Sequence, residues 1–383
     1  MNKLPEFIKD FSEARRNAFV KMKDIKDEGG KIVGVYCGFA PWEVIAASGA
    51  VAAWLCGMDE EPIEDAEKYL PRNLCPLIKS SYGFAITEKC PFYYFSDMLL
   101  GETTCDGKKK MYELLSEMKP MHVMNIPQTP YGQDSYDYYK KAIIKLKEEL
   151  EKNLKVEITE EKLKETIKLR NRERIALRDY YSLSKFCPPP MTGYNLRRVI
   201  QGTLYLSDKE KEIEDINNII RETIKKYNEG ERPVSKEAKR ILVTGCPLGD
   251  STEKVIEAIE DNGGVVVCYE NCSGAKDESL LVDEEKDPVD ALTERYLRTA
   301  CACMSPPNDN RIEYLDYLID EYKVEGVVEV ILQACHTYNV ESHRIKTFVK
   351  NNKKMPYLKI ETDYSKRDLG QLKTRVEAFI EML

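Results

Sequence analysis

Histidine and tryptophan are scarce in this 383-residue chain, with three and two copies. With no His-x-x-x-His pair among them, the three histidines leave a zinc hydrolase without its usual ligands. Long apolar runs are also missing. The longest nearly apolar stretch, Val44 to Cys56, has thirteen residues, too few to span a bilayer. The N-terminal residues Met1-Asn2-Lys3-Leu4-Pro5-Glu6 lack the apolar core and small-residue cleavage site of a secretory signal. A basic field is absent as well: the formal net charge is −8, which argues against nucleic acid as the main partner. The expectation is a cytoplasmic protein with no membrane or nucleic-acid partner.

Nucleotide loops are missing too. Gly245-Cys246-Pro247-Leu248-Gly249 has neither the Gly-x-Gly-x-x-Gly spacing nor the Gly-Lys-Ser/Thr ending of a phosphate loop, so ATP binding by this chain is not expected. What the chain does have is cysteine, twelve in all. In a reducing compartment these are not structural disulfides, and they do not form the paired Cys-x-x-Cys knuckles of a zinc module. A free cysteine can pack as a small hydrophobe. Several here instead lie beside Gly and Pro at the ends of apparent strands.

The length gives a prior of roughly two to three domains, and the simpler choice is two. Helical spacing of Phe7, Ile8, Phe11, Phe19 and Met22 ends at Gly29-Gly30. Ile32 to Cys37 reads as a buried strand, and Pro41 starts a helix carrying Val44 to Ala53. Phe92 to Phe95 and His122 to Ile126 are further strand candidates, separated by a helix after Asp106 that includes Met111 to Met118. Lys/Glu-rich helices fill Tyr136 to about Asn228, and Cys187-Pro188-Pro189-Pro190 interrupts them as a structural turn. Asn228 to Lys239 reads as the linker. The strand-and-helix pattern then restarts with Arg240 to Gly249, Gly263 to Gly274, Val324 to Ala334 and Tyr357 to Asp363, and Lys254 to Glu260 forms a helix. Such alternation implies parallel sheets covered on both faces. The expected fold is α/β: two similar doubly wound parallel-sheet domains, residues 1–135 and 237–383, with a helical layer or cap, 136–236, between them.

Cys37, Cys246, Cys272 and Cys335 recur at expected strand ends, where ligands of open α/β sheets gather. Cys105 falls at a helix start, where free N–H groups favour a thiolate. Cys301 and Cys303 form a close pair in a loop. Soft thiolates drawn singly from several strand ends suit an iron–sulfur cluster, and each cubane needs three or four ligands. A nucleophilic pairing of Cys335 with the adjacent His336 is the competing reading, although sequence neighbours seldom pair so. His122 and His343 read as ordinary hydrogen-bonding residues. Among acidic residues, Glu43, Glu361 and Asp363 follow strand ends or loops. Glu43 is the candidate for proton transfer, with helix N-terminal stabilisation as the alternative.

Leu74-Cys75-Pro76-Leu77-Ile78-Lys79-Ser80, Thr104-Cys105-Asp106-Gly107-Lys108-Lys109-Lys110-Met111-Tyr112-Glu113 and Gln333-Ala334-Cys335-His336-Thr337-Tyr338 resemble the cluster motifs of the 2-hydroxyacyl-CoA dehydratase family. Val35 to Glu43 and Ala46-Ala47-Ser48-Gly49-Ala50 resemble its N-terminal signature. The resemblance implies a four-iron four-sulfur cluster held by Cys75, Cys105 and Cys335. It also implies an acyl-CoA substrate bound through its thioester carbonyl, and a separate ATP-hydrolysing activator protein, with its own iron–sulfur cluster, that injects one electron. The extra thiols Cys37, Cys272, Cys301 and Cys303, with Cys246, bring the pattern closer to the double-cubane cluster branch. That branch implies a homodimer in which two cubanes joined by a sulfide and held by six cysteines per chain reduce a small molecule.

Overall fold

The computed structural model describes residues 9–247, 249, 253–272, 276, 279–304 and 307–383. Leu248, Ser273, Gly274, Ser305 and Pro306, which the sequence places in turns, lie outside the described residues, as do Phe7 and Ile8. The first half runs α1 (Lys9–Asp27), β1 (Ile32–Val35), α2 (Trp42–Ala47), β2 (Val51–Trp54), α3 (Ile63–Ala66), α4 (Pro76–Ile86), α5 (Pro91–Phe95), β3 (Met98–Glu102), α6 (Asp106–Ser116) and β4 (Met121–Met124). Four helices follow: α7 (Gln133–Leu154), α8 (Glu160–Ser182), α9 (Gly193–Thr203) and α10 (Lys209–Asn228). The second half runs β5 (Lys239–Gly245), α11 (Glu253–Asp261), β6 (Gly264–Glu270), α12 (Pro288–Leu297), α13 (Asp309–Glu321), β7 (Gly326–Leu332), α14 (His336–Thr347), β8 (Tyr357–Thr362) and α15 (Leu369–Glu381).

The two halves form two four-stranded parallel sheets with the same order, β2-β1-β3-β4 and β6-β5-β7-β8. Their inner strands, Ile-Val-Gly-Val in β1 and Gly-Val-Val-Glu-Val-Ile-Leu in β7, are buried along their whole length. Continuous apolar runs of this kind are what strands covered on both faces require. Each sheet has its own apolar core, and α8 joins them. Leu163 and Ile167 near its start belong to the first core, while Ala176, Leu177, Tyr180 and Tyr181 belong to the second. Among the described residues no helix is long and apolar enough to cross a membrane.

Two local expectations need correction. The helix expected over Val44 to Ala53 stops at Ala47. Gly49 then takes φ +78°, and Val51–Trp54 pairs in parallel with β1. Phe92 to Phe95 is helix rather than strand, because Pro91 presets the first helical turn after Cys90. The strand of that region is Met98–Glu102, between β1 and β4.

The turn after β5 depends on Gly245. Its φ is +109°, and a Cβ there would stand 2.1 Å from the carbonyl oxygen of Val330. Both the backbone conformation and the close approach need glycine. Gly245→Ala is expected to lower stability by about 1–3 kcal/mol for the backbone alone and by more from the clash, read as a lower urea midpoint with an unchanged m-value.

Candidate metal centre

In a parallel sheet every strand ends at the same edge, so residues that follow successive strands share one rim. Cysteines follow three equivalent strands in each half: Cys37 after β1 and Cys246 after β5, Cys56 after β2 and Cys272 after β6, Cys105 after β3 and Cys335 after β7. The last two also hold the same local position, each at the N-cap of the following helix, α6 or α14. Cys75 N-caps α4, with Pro76 at the first helical position.

The structure brings Cys75, Cys246 and Cys335 into one hydrogen-bonded group. Cys335 is the anionic member: hydrogen bonds from the Cys246 and Cys75 thiols hold it far below the usual thiol range. The Cys335 partner, followed by burial, raises Cys75, and burial, followed by the same partner, raises Cys246. Backbone N–H groups support the group: Leu332 donates to Cys246 Sγ at 3.3 Å, and the N–H groups of the first turns of α4 and α14 favour the ionised forms of Cys75 and Cys335.

A second group joins the halves. Cys301 and Cys303 hydrogen-bond to each other, and that contact, aided by Lys276, pulls Cys301 down to about 5. Cys37 and Cys272 face Cys301, and Cys272 is the solvent-exposed member. Tyr338 spans both groups. Its hydroxyl lies 3.6 Å from Cys301 Sγ, and its backbone N–H, in the first turn of α14, favours the ionised form of Cys335.

Cys105 stands outside both groups; its Sγ accepts from the backbone N–H of Lys108 at 3.4 Å. Cys187 is exposed, and Cys268 is buried within β6. Glu361 is exposed, with Asn339 at 3.4 Å, and Asp363 accepts from the backbone N–H of Ser365 at 2.8 Å. Glu43 is fully buried, with Arg174 2.8 Å from one carboxylate oxygen and Tyr296 donating to the other at 2.8 Å. This ion pair fastens α2 to α8 and α12.

Several participants were not singled out by sequence. Cys56 donates to the carbonyl of Tyr36 at 2.9 Å, and Lys108 donates to the same oxygen at 3.0 Å. Reading Val51–Trp54 as a strand would have marked Cys56 by the same strand-end rule. Glu102, at the end of β3, accepts from the Ala40 N–H at 3.1 Å, and burial pushes its carboxyl up to about 8. Lys276 sits 3.0 Å from Glu270 and faces Cys301 and Cys272.

Among the described residues no three His, Cys, Asp or Glu side chains are arranged as ligands of a single metal ion. The donors gathered here are the thiols that bind iron–sulfur clusters. Buried polar atoms without hydrogen-bond partners border them: Tyr364 Oη beside the Cys75 group, and Glu102 Oε2 and Tyr112 Oη beside Cys37. Buried polar atoms are ordinarily satisfied, and exceptions mark a missing partner or ion. The residues therefore fit such a group.

Comparison with known proteins places the chain in a family context. Residues 37–383 match the family model described as 2-hydroxyglutaryl-CoA dehydratase, D-component. The chain is 49% identical to the "Putative dehydratase subunit YjiM" of Escherichia coli (strain K12), over 99% of this chain and 98% of that one. It is 24% identical to the (R)-phenyllactyl-CoA dehydratase beta subunit of Clostridium sporogenes, over the full length of both. It is 21% identical to the (R)-2-hydroxyglutaryl-CoA dehydratase subunit beta of Acidaminococcus fermentans, over 98% of each.

Arg174→Met leaves the Glu43 carboxylate buried without its charge partner, an expected loss of about 3–5 kcal/mol in urea denaturation. Glu43→Gln, which keeps an acceptor for Tyr296, is expected to cost less. Glu102 gives a pH signature. The native carboxyl holds its proton up to about 8, while the unfolded one releases it near 4.5. Between those values the native state binds more protons, so stability falls as pH rises, at a limiting slope of about 1.4 kcal/mol per pH unit. Denaturation at pH 5 and pH 8 should show a smaller difference in Glu102→Gln than in the unaltered chain.

Proposed function

The chain belongs to the 2-hydroxyglutaryl-CoA dehydratase D-component family, and from that premise we propose that it is an iron–sulfur enzyme component of the double-cubane type. It reduces a small molecule with low-potential electrons delivered by a separate ATP-hydrolysing reductase that carries its own cluster. The observation that carries this reading is the number and grouping of the thiols. One cubane needs three or four ligands. Cys75, Cys246 and Cys335 form one group, and Cys37, Cys272, Cys301 and Cys303 form a second.

In this reading Cys75 and Cys335 would hold the first cubane with Cys105, which comes from the resemblance and stands outside the hydrogen-bonded group. The remaining ligands come from Cys37, Cys246, Cys272, Cys301 and Cys303. The bound cofactor supplies one-electron transfer at low potential. The chain's own residues do the rest. Helix starts at Cys75, Cys105 and Cys335 aim backbone N–H groups at the thiolates. Tyr338 couples the two groups, and the exposed Cys272 marks the side open to solvent. The functional unit is a dimer of identical chains.

A second reading is favoured by the relatives' names: a subunit of a 2-hydroxyacyl-CoA dehydratase, a radical lyase with one cubane and an open coordination position for the thioester. Anaerobic purification with iron and sulfide analysis separates the two. About eight irons per chain, falling sharply in Cys335→Ser, is the expected result, from a particle whose mass is twice that of the chain. About four irons, with turnover of a 2-hydroxyacyl-CoA in the presence of an activator, supports the second reading. Zinc, or no metal, overturns both.

A further inference from the structure

The two thiol groups differ in the charges that meet them. The Cys75 group is met by backbone N–H groups, by the phenol of Tyr364 and by the exposed His336. The Cys301 group is met by two buried ammonium groups, one from each half of the chain. Lys108 reaches from α6 to the carbonyl of Tyr36 at 3.0 Å, next to Cys37. Lys276 lies 3.0 Å from Glu270 and faces Cys301 and Cys272. Cys272 lies within reach of both cations.

The two cations are partnered differently. The hydrogen bond of the Lys108 ammonium goes to a neutral acceptor, the Tyr36 carbonyl, at 3.0 Å. Lys276 pairs with Glu270 at 3.0 Å, and Glu270 also lies 3.2 Å from the buried Arg311, which has Glu329 and Glu341 as further partners. In a medium of low dielectric a fixed charge acts strongly on its neighbours. An ammonium beside a redox group favours the form that carries one more negative charge.

Resting on the double-cubane reading, we propose that Lys108 and Lys276 make the group of Cys37, Cys272, Cys301 and Cys303 the place where an added electron comes to rest. One electron arrives from an external one-electron donor of low potential. No bond forms or breaks and no proton moves. The negative charge of the group rises by one and is balanced by the two ammonium groups already there. The buried cations thereby set the direction of transfer, towards the end of the constellation that Cys272 opens to solvent, where a small substrate would take the electron up.

The test is an EPR-monitored redox titration of the anaerobically purified, iron-loaded chain and of its Lys276→Met, Lys108→Met and Lys276→Arg variants. Each Met variant is expected to lower the potential of the first couple to be reduced. The expected size is a tenfold change in the ratio of reduced to oxidised forms at a given potential, about 59 mV for one electron. Lys276→Arg is expected to keep the potential, which a merely structural role of the lysine stem would not predict. If Lys276→Met loses iron, Lys108→Met decides alone. Full iron content with an unchanged first potential overturns the proposal and leaves the double-cubane reading standing. An unaltered chain that holds no iron and sulfide overturns both.

Discussion

Thiols crowded into a dry interior cannot all ionise, because each charge raises the cost of the next. That constraint governs the centre of this protein. In each group one thiol is pulled down and its neighbours are pushed up by their shared hydrogen bonds and burial: Cys335 against Cys75 and Cys246, and Cys301 against Cys303. In the proposed reading these thiols give up their protons to metal. Metal binding at thiolates releases protons, and the buried ammonium and backbone N–H groups around these cysteines supply the compensating positive charge.

The topology explains why the cysteines meet. A parallel sheet sends all its strands out through one edge, and the order 2-1-3-4 is repeated in both halves. Cys37, Cys56 and Cys105 in one half therefore have counterparts in Cys246, Cys272 and Cys335 in the other. The grouping crosses between halves: Cys75 hydrogen-bonds to Cys335, and Cys37 faces Cys301 and Cys272. A cofactor held this way would be clamped between two sheets, and α8, which contributes to both cores, keeps the halves in register.

Much of the fold was legible in the sequence, since Ile32–Val35 is apolar throughout and Gly326–Leu332 is apolar but for Glu329, with Cys37 and Cys335 following close behind. Less legible were short elements whose neighbours obscured them. Val51–Trp54 looked like the tail of the preceding helix because alanine suits either state, and Pro91 turned an aromatic run into helix against its β-propensity. The thiols were recognisable by their place at strand ends. Cys56 was hidden by the misread helix, and Lys108, Lys276 and Glu102 looked like ordinary charged residues. Nothing in a linear charge pattern distinguishes a buried lysine facing a thiol from a solvated one.

The central claim is that the two thiol groups hold iron. Crystals grown without oxygen and measured on either side of the iron absorption edge test it most directly. The account predicts anomalous iron density in two compact clusters, one against Cys75 and Cys335 and one against Cys301 and Cys37. A centre without iron, with the thiols still hydrogen-bonded to one another, would contradict it.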